Sequence, residues 1–197
     1  MPPVEFETLV KSVRAGTHLA SFPTDTVPAL AATPDRAELI FTAKQRSLDK
    51  PLILMASEIN ELWQYVRGSD REFEQWQAIA QQYLPGALTL VLPASDLVST
   101  AMNPSDPTTI GVRVPNHAIA QKILAQTGAL ATTSANRSGQ PALLSMATIA
   151  VEFPEVLVLE SNSTEAASGT PSTVVKWTAE GWQILRQGAI ELRDRME

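Results

Sequence analysis

The chain has 197 residues, 44% of them apolar, and a formal net charge of -6 from 15 Lys+Arg against 21 Asp+Glu. That is enough material for one sizeable core, read here as a single domain over residues 1–197, and a charge balance that opposes non-specific binding to a polyanion. With no cysteine and only two histidines, His18 and His117, disulfides, thiolate chemistry and a histidine-rich metal site are excluded.

The first residues, Met1-Pro2-Pro3-Val4-Glu5, carry no basic region leading into an apolar core, and no run approaches the roughly 20 apolar residues that span a bilayer. A soluble, cytoplasmic protein without membrane contact is expected. From Val4 to Ala15, Leu9, Val10 and Val13 recur at helical spacing until Gly16. His18 to Thr33 reads as a strand, a turn bearing Thr24 and Thr26, and a second short strand, because Pro23 and Pro28 interrupt it. Pro34-Asp35 opens a helix with Leu39, Ile40 and Ala43 inward, ending near Arg46. Pro51 to Ala56 is an apolar strand, and Glu58 to Val66 and Asp70 to Leu84 are predicted helices. The second buries Phe73, Trp76, Ile79, Ala80 and Tyr83 before Pro85-Gly86 stops it.

Strands and helices then alternate: strand Ala87 to Leu92, a polar loop through Asp106-Pro107, strand Thr109 to Val114, helix His117 to Thr127 and strand Ala129 to Thr133. Ser145 to Glu152 is a helix and Val156 to Leu159 a strand. A Ser/Thr/Gly-rich loop from Ser161 to Pro171, expected to be mobile and able to cover a ligand, leads to a hairpin of Ser172 to Trp177 with Trp182 to Arg186. No internal repeat or low-complexity tract is found.

Several groups suit a phosphorylated ligand. In a strand, residues two apart share a face, so Ile110, Val112 and Val114 belong to the core while Thr109, Gly111 and Arg113 face the other way. Gly111 then offers a place where a ligand can lie on the backbone; alternatively Arg113 is a surface salt bridge and Gly111 a twist point. The same alternation aligns Thr132, Ser134 and Asn136 at a strand end, where ligands of open sheets bind, although an ordinary polar loop has the same composition. Lys44 and Arg46 converge only if their helix ends between them, and with Lys50 they would then form a cationic group. Charges at a helix end are also often solvated or compensate the helix dipole. No Walker A loop, dinucleotide glycine fingerprint or serine elbow is present, and a pairing of Ser134 with His117 lacks an orienting acid.

In order and spacing, Pro23-Thr24-Asp25-Thr26-Val27, Lys44-Gln45-Arg46, Lys50-Pro51-Leu52, Leu84-Pro85-Gly86, Val112-Arg113-Val114-Pro115, Ser134-Ala135-Asn136-Arg137-Ser138-Gly139, Ser172-Thr173-Val174-Val175 and Leu185-Arg186-Gln187-Gly188 resemble the YrdC-like family. The resemblance implies an α+β fold, a mixed twisted sheet with flanking helices and a concave positive cavity, of the short single-domain type. It also implies a nucleotidyltransferase that makes threonylcarbamoyl-AMP and pyrophosphate from L-threonine, bicarbonate and ATP, with Mg2+ on the phosphates. The product would pass to proteins that transfer the threonylcarbamoyl group to tRNA. Position by position, Arg46, Lys50, Thr109, Ser134 and Arg186 would contact ATP, and Thr26, Arg113, Thr132 and Ser172 would hold threonine. Lys44, Arg46 and Asn136 would be catalytic, with no protein-bound metal.

The chain departs from the family pattern at three places. Pro28-Ala29 replaces a usual Tyr-Gly, Met55 a common histidine, and Ala142 a serine on the ATP side. An intact phosphate side and a less selective amino-acid side are expected. The alternatives are a YrdC-like paralogue that binds double-stranded RNA or nucleotide without this activity, and a diverged nucleotide-binding regulator.

Overall fold

A computed structural model describes residues 3–160 and 167–192. Its centre is a nine-stranded mixed sheet in the order β7-β1-β2-β6-β3-β5-β4-β8-β9. The strands are β1 (Ala20–Phe22), β2 (Ala29–Ala32), β3 (Ile53–Met55), β4 (Leu88–Pro93), β5 (Thr109–Arg113), β6 (Leu130–Ser134), β7 (Leu157–Val158), β8 (Thr173–Thr178) and β9 (Gly181–Arg186). β1 with β7, β3 with β5 and β4 with β8 run parallel, and the other neighbours antiparallel. The helices are α1 (Phe6–Arg14), α2 (Glu38–Lys44), α3 (Asp70–Tyr83), α4 (Ala118–Thr127) and α5 (Met146–Glu152).

Local chemistry sets the helix ends. Gly16, at φ 63°, takes the left-handed conformation that stops the turn after α1. Ser69 and Glu72 form a reciprocal cap on α3, the Glu72 carboxylate accepting from the Ser69 amide at 2.8 Å and the Ser69 hydroxyl from the Glu72 amide at 3.4 Å. α2 ends at Gln45, a non-glycine residue at φ 50°.

The two sheet faces are filled differently. On one, Leu30, Leu54, Leu90, Val112 and Ala131 pack against Ile40 of α2, Trp76 of α3 and Ile149 of α5. On the other, Leu9 and Val13 of α1 and Ile123 and Leu124 of α4 cover Phe22, Ala31 and Leu130. These two helices reach only part of that face, and the area over β3, β5, β4 and β8 is left for the site.

Glu58 to Val66 is not one helix but two 3-10 turns, Ile59–Glu61 and Trp63–Tyr65. The Glu61 carboxylate turns back to accept from the Glu58 amide at 3.0 Å, satisfying it without a longer helix. Val66 then bridges Ala94, and the Arg67 amide donates to the Pro93 carbonyl at 3.0 Å, drawing the chain into extended form. The helix predicted from Pro34 is a 3-10 turn, Pro34–Arg36, before α2 begins. Of the predicted covering loop, 161–166 lie outside the described residues, while the Ser168 and Gly169 amides donate to the Asp25 and Thr26 carbonyls at 3.0 and 2.9 Å. Among the described residues no helix is long and apolar enough to cross a membrane.

Candidate active site

A cavity of about 440 Å³ lies on the uncovered part of the sheet, within the roughly 300–1,000 Å³ range of small-molecule sites. Strand register lays a row across its floor: Thr132 opposite Ile53, Ile53 opposite Gly111, Gly111 opposite Val91. A Cβ at Gly111 would sit 3.4 Å from the Thr89 methyl and 3.5 Å from the Ile53 side chain. The glycine therefore keeps the floor low in mid-row.

Three guanidinium groups form the walls. Arg113 is buried, donating from Nε to the Gly86 carbonyl at 3.0 Å, from one terminal nitrogen to Thr26 Oγ1 at 2.9 Å and from the other to Asp25 Oδ1 at 2.7 Å. A guanidinium has five N–H donors, so one remains on each terminal nitrogen. Arg46 donates to the Lys50 and Pro51 carbonyls at 2.9 and 3.0 Å, and Arg186 to the Ser172 carbonyl at 3.1 and 2.8 Å. Burial lowers the pKa of all three; the charge of Arg186 lowers Arg46 and Arg113 further, while Asp49 and Asp25 respectively oppose the shift. The cavity thus concentrates positive charge that its own carboxylates only partly offset.

The hydroxyl groups are held in place. In the β1–β2 turn, Thr24 Oγ1 donates to the Val27 carbonyl at 2.7 Å and accepts from the Thr26 amide at 3.2 Å, fixing Thr26 at the wall. Thr132 Oγ1 donates to the Ile53 carbonyl at 2.9 Å. The Thr109 hydroxyl accepts from Asn103 Nδ2 at 3.3 Å, and the Ser172 and Thr89 hydroxyls lie 2.8 Å apart.

Lys44 is placed differently from Arg46. Its side chain is buried outside the cavity lining, where Nζ donates to the Ser134 carbonyl and to Asn136 Oδ1, the latter at 3.2 Å. Desolvation first, and Arg46 second, lower its pKa to about 7. Asn136 Oδ1 also accepts from Ser134 Oγ at 2.5 Å, and Nδ2 donates to the Arg137 and Gln140 carbonyls at 2.8 and 2.7 Å.

Of the residues singled out in the sequence, Thr26, Arg46, Thr109, Arg113, Thr132 and Ser134 line the cavity, as do Ser172 and Arg186. Lys50 does not; it contributes a carbonyl to Arg46, and its exposed side chain is outside the lining, so the cationic group expected of Lys44, Arg46 and Lys50 does not converge there. Asn136 is likewise outside the lining, because the Asn136 amide donates to the Ser134 carbonyl at 3.1 Å and the tight turn ends the strand alternation. Ala29 and Met55 line the cavity, whereas Pro28, Ala142 and His117 do not. Functional residues not evident from the sequence motifs are Asp25, the partner of Arg113, and Asn103, Asp106 and Lys176, which line the cavity. Lys176 was accessible by strand alternation with Val174; the loop residues gave no such signal.

A family model described as "Telomere recombination" (Sua5, YciO and YrdC) matches residues 12–188. A threonylcarbamoyl-AMP synthase of Vibrio campbellii is 33% identical over 187 residues, covering 93% of this chain and 98% of the relative. One from Pyrococcus abyssi is 33% identical over 180 residues, covering 89% of this chain but 52% of the relative, so the chain spans about half the length of that protein. The P. abyssi Sua5 structure complexed with L-threonine superposes with a TM-score of 0.82 at 32% identity, over 93% of this chain and 54% of the other. E. coli YciO shares the fold at a TM-score of 0.78 and 22% identity, over 94% and 90% of the two chains. The family model runs from within α1 to just past β9 and so takes in every strand and wall residue that shapes the cavity: the chain belongs to the Sua5/YciO/YrdC family.

Proposed function

We propose that this protein is an L-threonylcarbamoyladenylate synthase. The observation that carries the reading is the convergence of Arg46, Arg113 and Arg186 on one cavity, with Arg46 and Arg186 held by carbonyls and so still able to meet anions. Relatives named threonylcarbamoyl-AMP synthase support it. In the reaction, the threonine amine and bicarbonate give a carbamate and water. A carbamate oxygen then attacks the α-phosphorus of ATP, the bond to the β-phosphate bridging oxygen breaks, and pyrophosphate leaves. Such a displacement is served mainly by positioning and neutralisation of charge.

The residues divide between two substrates. Arg113, with its two spare donors beside Thr26, suits the threonine carboxylate, and Thr132 and Ser172 complete that side. Arg46, Arg186, Thr109 and Ser134 suit ATP. Lys44 and Asn136 act by shaping the Ser134 turn rather than by touching phosphate. Mg2+ would be carried on the triphosphate; Asp49 and Asp106 are lining carboxylates that fit a cation approached by few protein ligands.

We read residues 1–197 as one domain, since strands from both ends of the described chain join one sheet. The setting is the cytoplasm, with tRNA threonylcarbamoyl-transfer proteins as recipients of the adenylate. The formal charge of -6 argues against the alternative of a duplex-RNA binder. The test is pyrophosphate release with ATP, bicarbonate and threonine, each omitted in turn. All three are expected to be required, with serine competing within about two orders of magnitude because Val27, Ala29 and Met55 give that side small or soft walls. Release that ignores bicarbonate would sink the mechanism.

A further inference from the structure

We propose that Arg137, which lies outside the cavity, is a positioning residue that sets the spacing of two of its walls. Its guanidinium joins α2 to α5. Nε donates to Glu152 Oε1 at 2.7 Å, one terminal nitrogen to the Glu152 carbonyl at 2.7 Å and the other to the Ala43 carbonyl at 2.5 Å. The charge also stands 4.5 Å from the centre of the Phe153 ring.

These contacts bear on the site through short stretches of chain. Ala43 lies in the last turn of α2, and the left-handed Gln45 then turns the chain so that Arg46 projects into the cavity. On the other side, the Arg137 carbonyl accepts from Asn136 Nδ2 at 2.8 Å, and Asn136 Oδ1 accepts from Ser134 Oγ at 2.5 Å. Arg137 thus straps the segment bearing Arg46 to the segment bearing Ser134. The Lys44 contact to the Ser134 carbonyl is a second strap between the same segments.

The planar fork matters because the acceptors lie in different directions, which a lysine ammonium on a flexible stem does not hold together. The ion pair itself contributes little to stability, its side chains being 36% and 44% exposed. Geometry is the larger effect: a misplacement of about 1 Å is enough to cost on the order of a hundredfold in a positioned site.

The inference rests on the nucleotide reading of the cavity, and its test has one arm independent of that reading. Hydrogen exchange of the ligand-free protein compares wild type with Arg137→Ala and Arg137→Lys, the latter serving if the alanine variant does not fold. Exchange is expected to rise together in residues 43–50 and 134–140 and to stay unchanged in α3; unchanged exchange in both segments overturns the strap. Titration calorimetry with ATP then compares Arg137→Ala, Arg46→Ala and the double variant, or the corresponding Arg137→Lys set. Arg137→Ala alone is expected to weaken ATP binding about tenfold, with much less further loss in the Arg46→Ala background. Equal losses in both backgrounds overturn the action through Arg46. A wild type that binds no ATP overturns the nucleotide reading instead, and the exchange arm still decides the strap.

Discussion

Arg113 and Asp25 meet across 2.7 Å although they stand 88 residues apart in the chain. The contact ties β5 to the β1–β2 turn, and the arginine side chain is only 3% exposed. Asp25→Ala would leave that charge buried without its carboxylate, at a cost of about 3–5 kcal/mol. Urea unfolding should show the loss, whereas Asp96→Ala, at an exposed pair with Arg67, should leave the midpoint where it was.

Arg46→Ala should weaken ATP binding, because a charge-assisted hydrogen bond is worth roughly 1.5–3 kcal/mol, about tenfold to a hundredfold in affinity. Arg36→Ala, at an exposed pair with Glu38 and outside the cavity lining, should bind ATP like wild type. Calorimetric titration of both variants separates them. Equal affinity in all three proteins would remove Arg46 from the phosphate site. A duplex-RNA binder would instead lose RNA affinity on Arg46→Ala and show no thermal shift with ATP.

Lys44 gives a pH dependence with a definite sign. Its folded pKa of about 7 lies below the ordinary 10.5, so between these values the unfolded chain holds a proton that the folded chain has released. Stability from this group therefore rises with pH from about 7 toward 10.5. A neutral amine keeps two N–H donors, enough for the Ser134 carbonyl and Asn136 Oδ1. Denaturation midpoints at several pH values should show the rise in wild type and a flatter profile in Lys44→Met. If phosphate binds beside Arg46, ATP should also drive proton uptake near pH 8, readable as a dependence of the calorimetric heat on buffer ionisation enthalpy.

Gly111→Ala isolates the cavity floor from the core. Its Cβ would make ordinary contacts of 3.4 and 3.5 Å with Thr89 and Ile53, so the fold should tolerate it and melt near the wild-type temperature. The methyl group would nonetheless stand where a ligand is expected to lie on the backbone. The variant should lose ATP or threonine affinity in calorimetry while keeping its stability; unchanged affinity for both would place the ligand elsewhere in the cavity.

The parts of the site readable in the sequence are those set by strand alternation. Thr109, Gly111 and Arg113 separate from Ile110, Val112 and Val114 with a period of two whatever the neighbouring strands are, and the structure puts the first set on the cavity and the second in the core. Alternation misleads at Asn136, where the chain has already turned. It says nothing of Asp25 and Arg113, whose meeting depends on the sheet order. Lys50 shows another limit: nearness in sequence to Arg46 brought a carbonyl into play rather than the ammonium. The helix expected from Glu58 to Val66 fails because side-chain caps and the pull of β4 act on a segment whose apolar spacing alone looks helical.

The floor row draws on β6, β3, β5 and β4, and the walls on the β1–β2 turn and on β9. A molecule seated there touches parts of the chain that come together only when the run of strands from β2 to β9 in the sheet order is assembled. Its binding free energy is therefore coupled to global unfolding rather than to a local opening. At about a hundred times its dissociation constant such a ligand adds about 2.7 kcal/mol to the folded state. Occupancy should accordingly slow exchange in α3, which lends no residue to the cavity and packs on the opposite face of the sheet, as much as at the cavity wall.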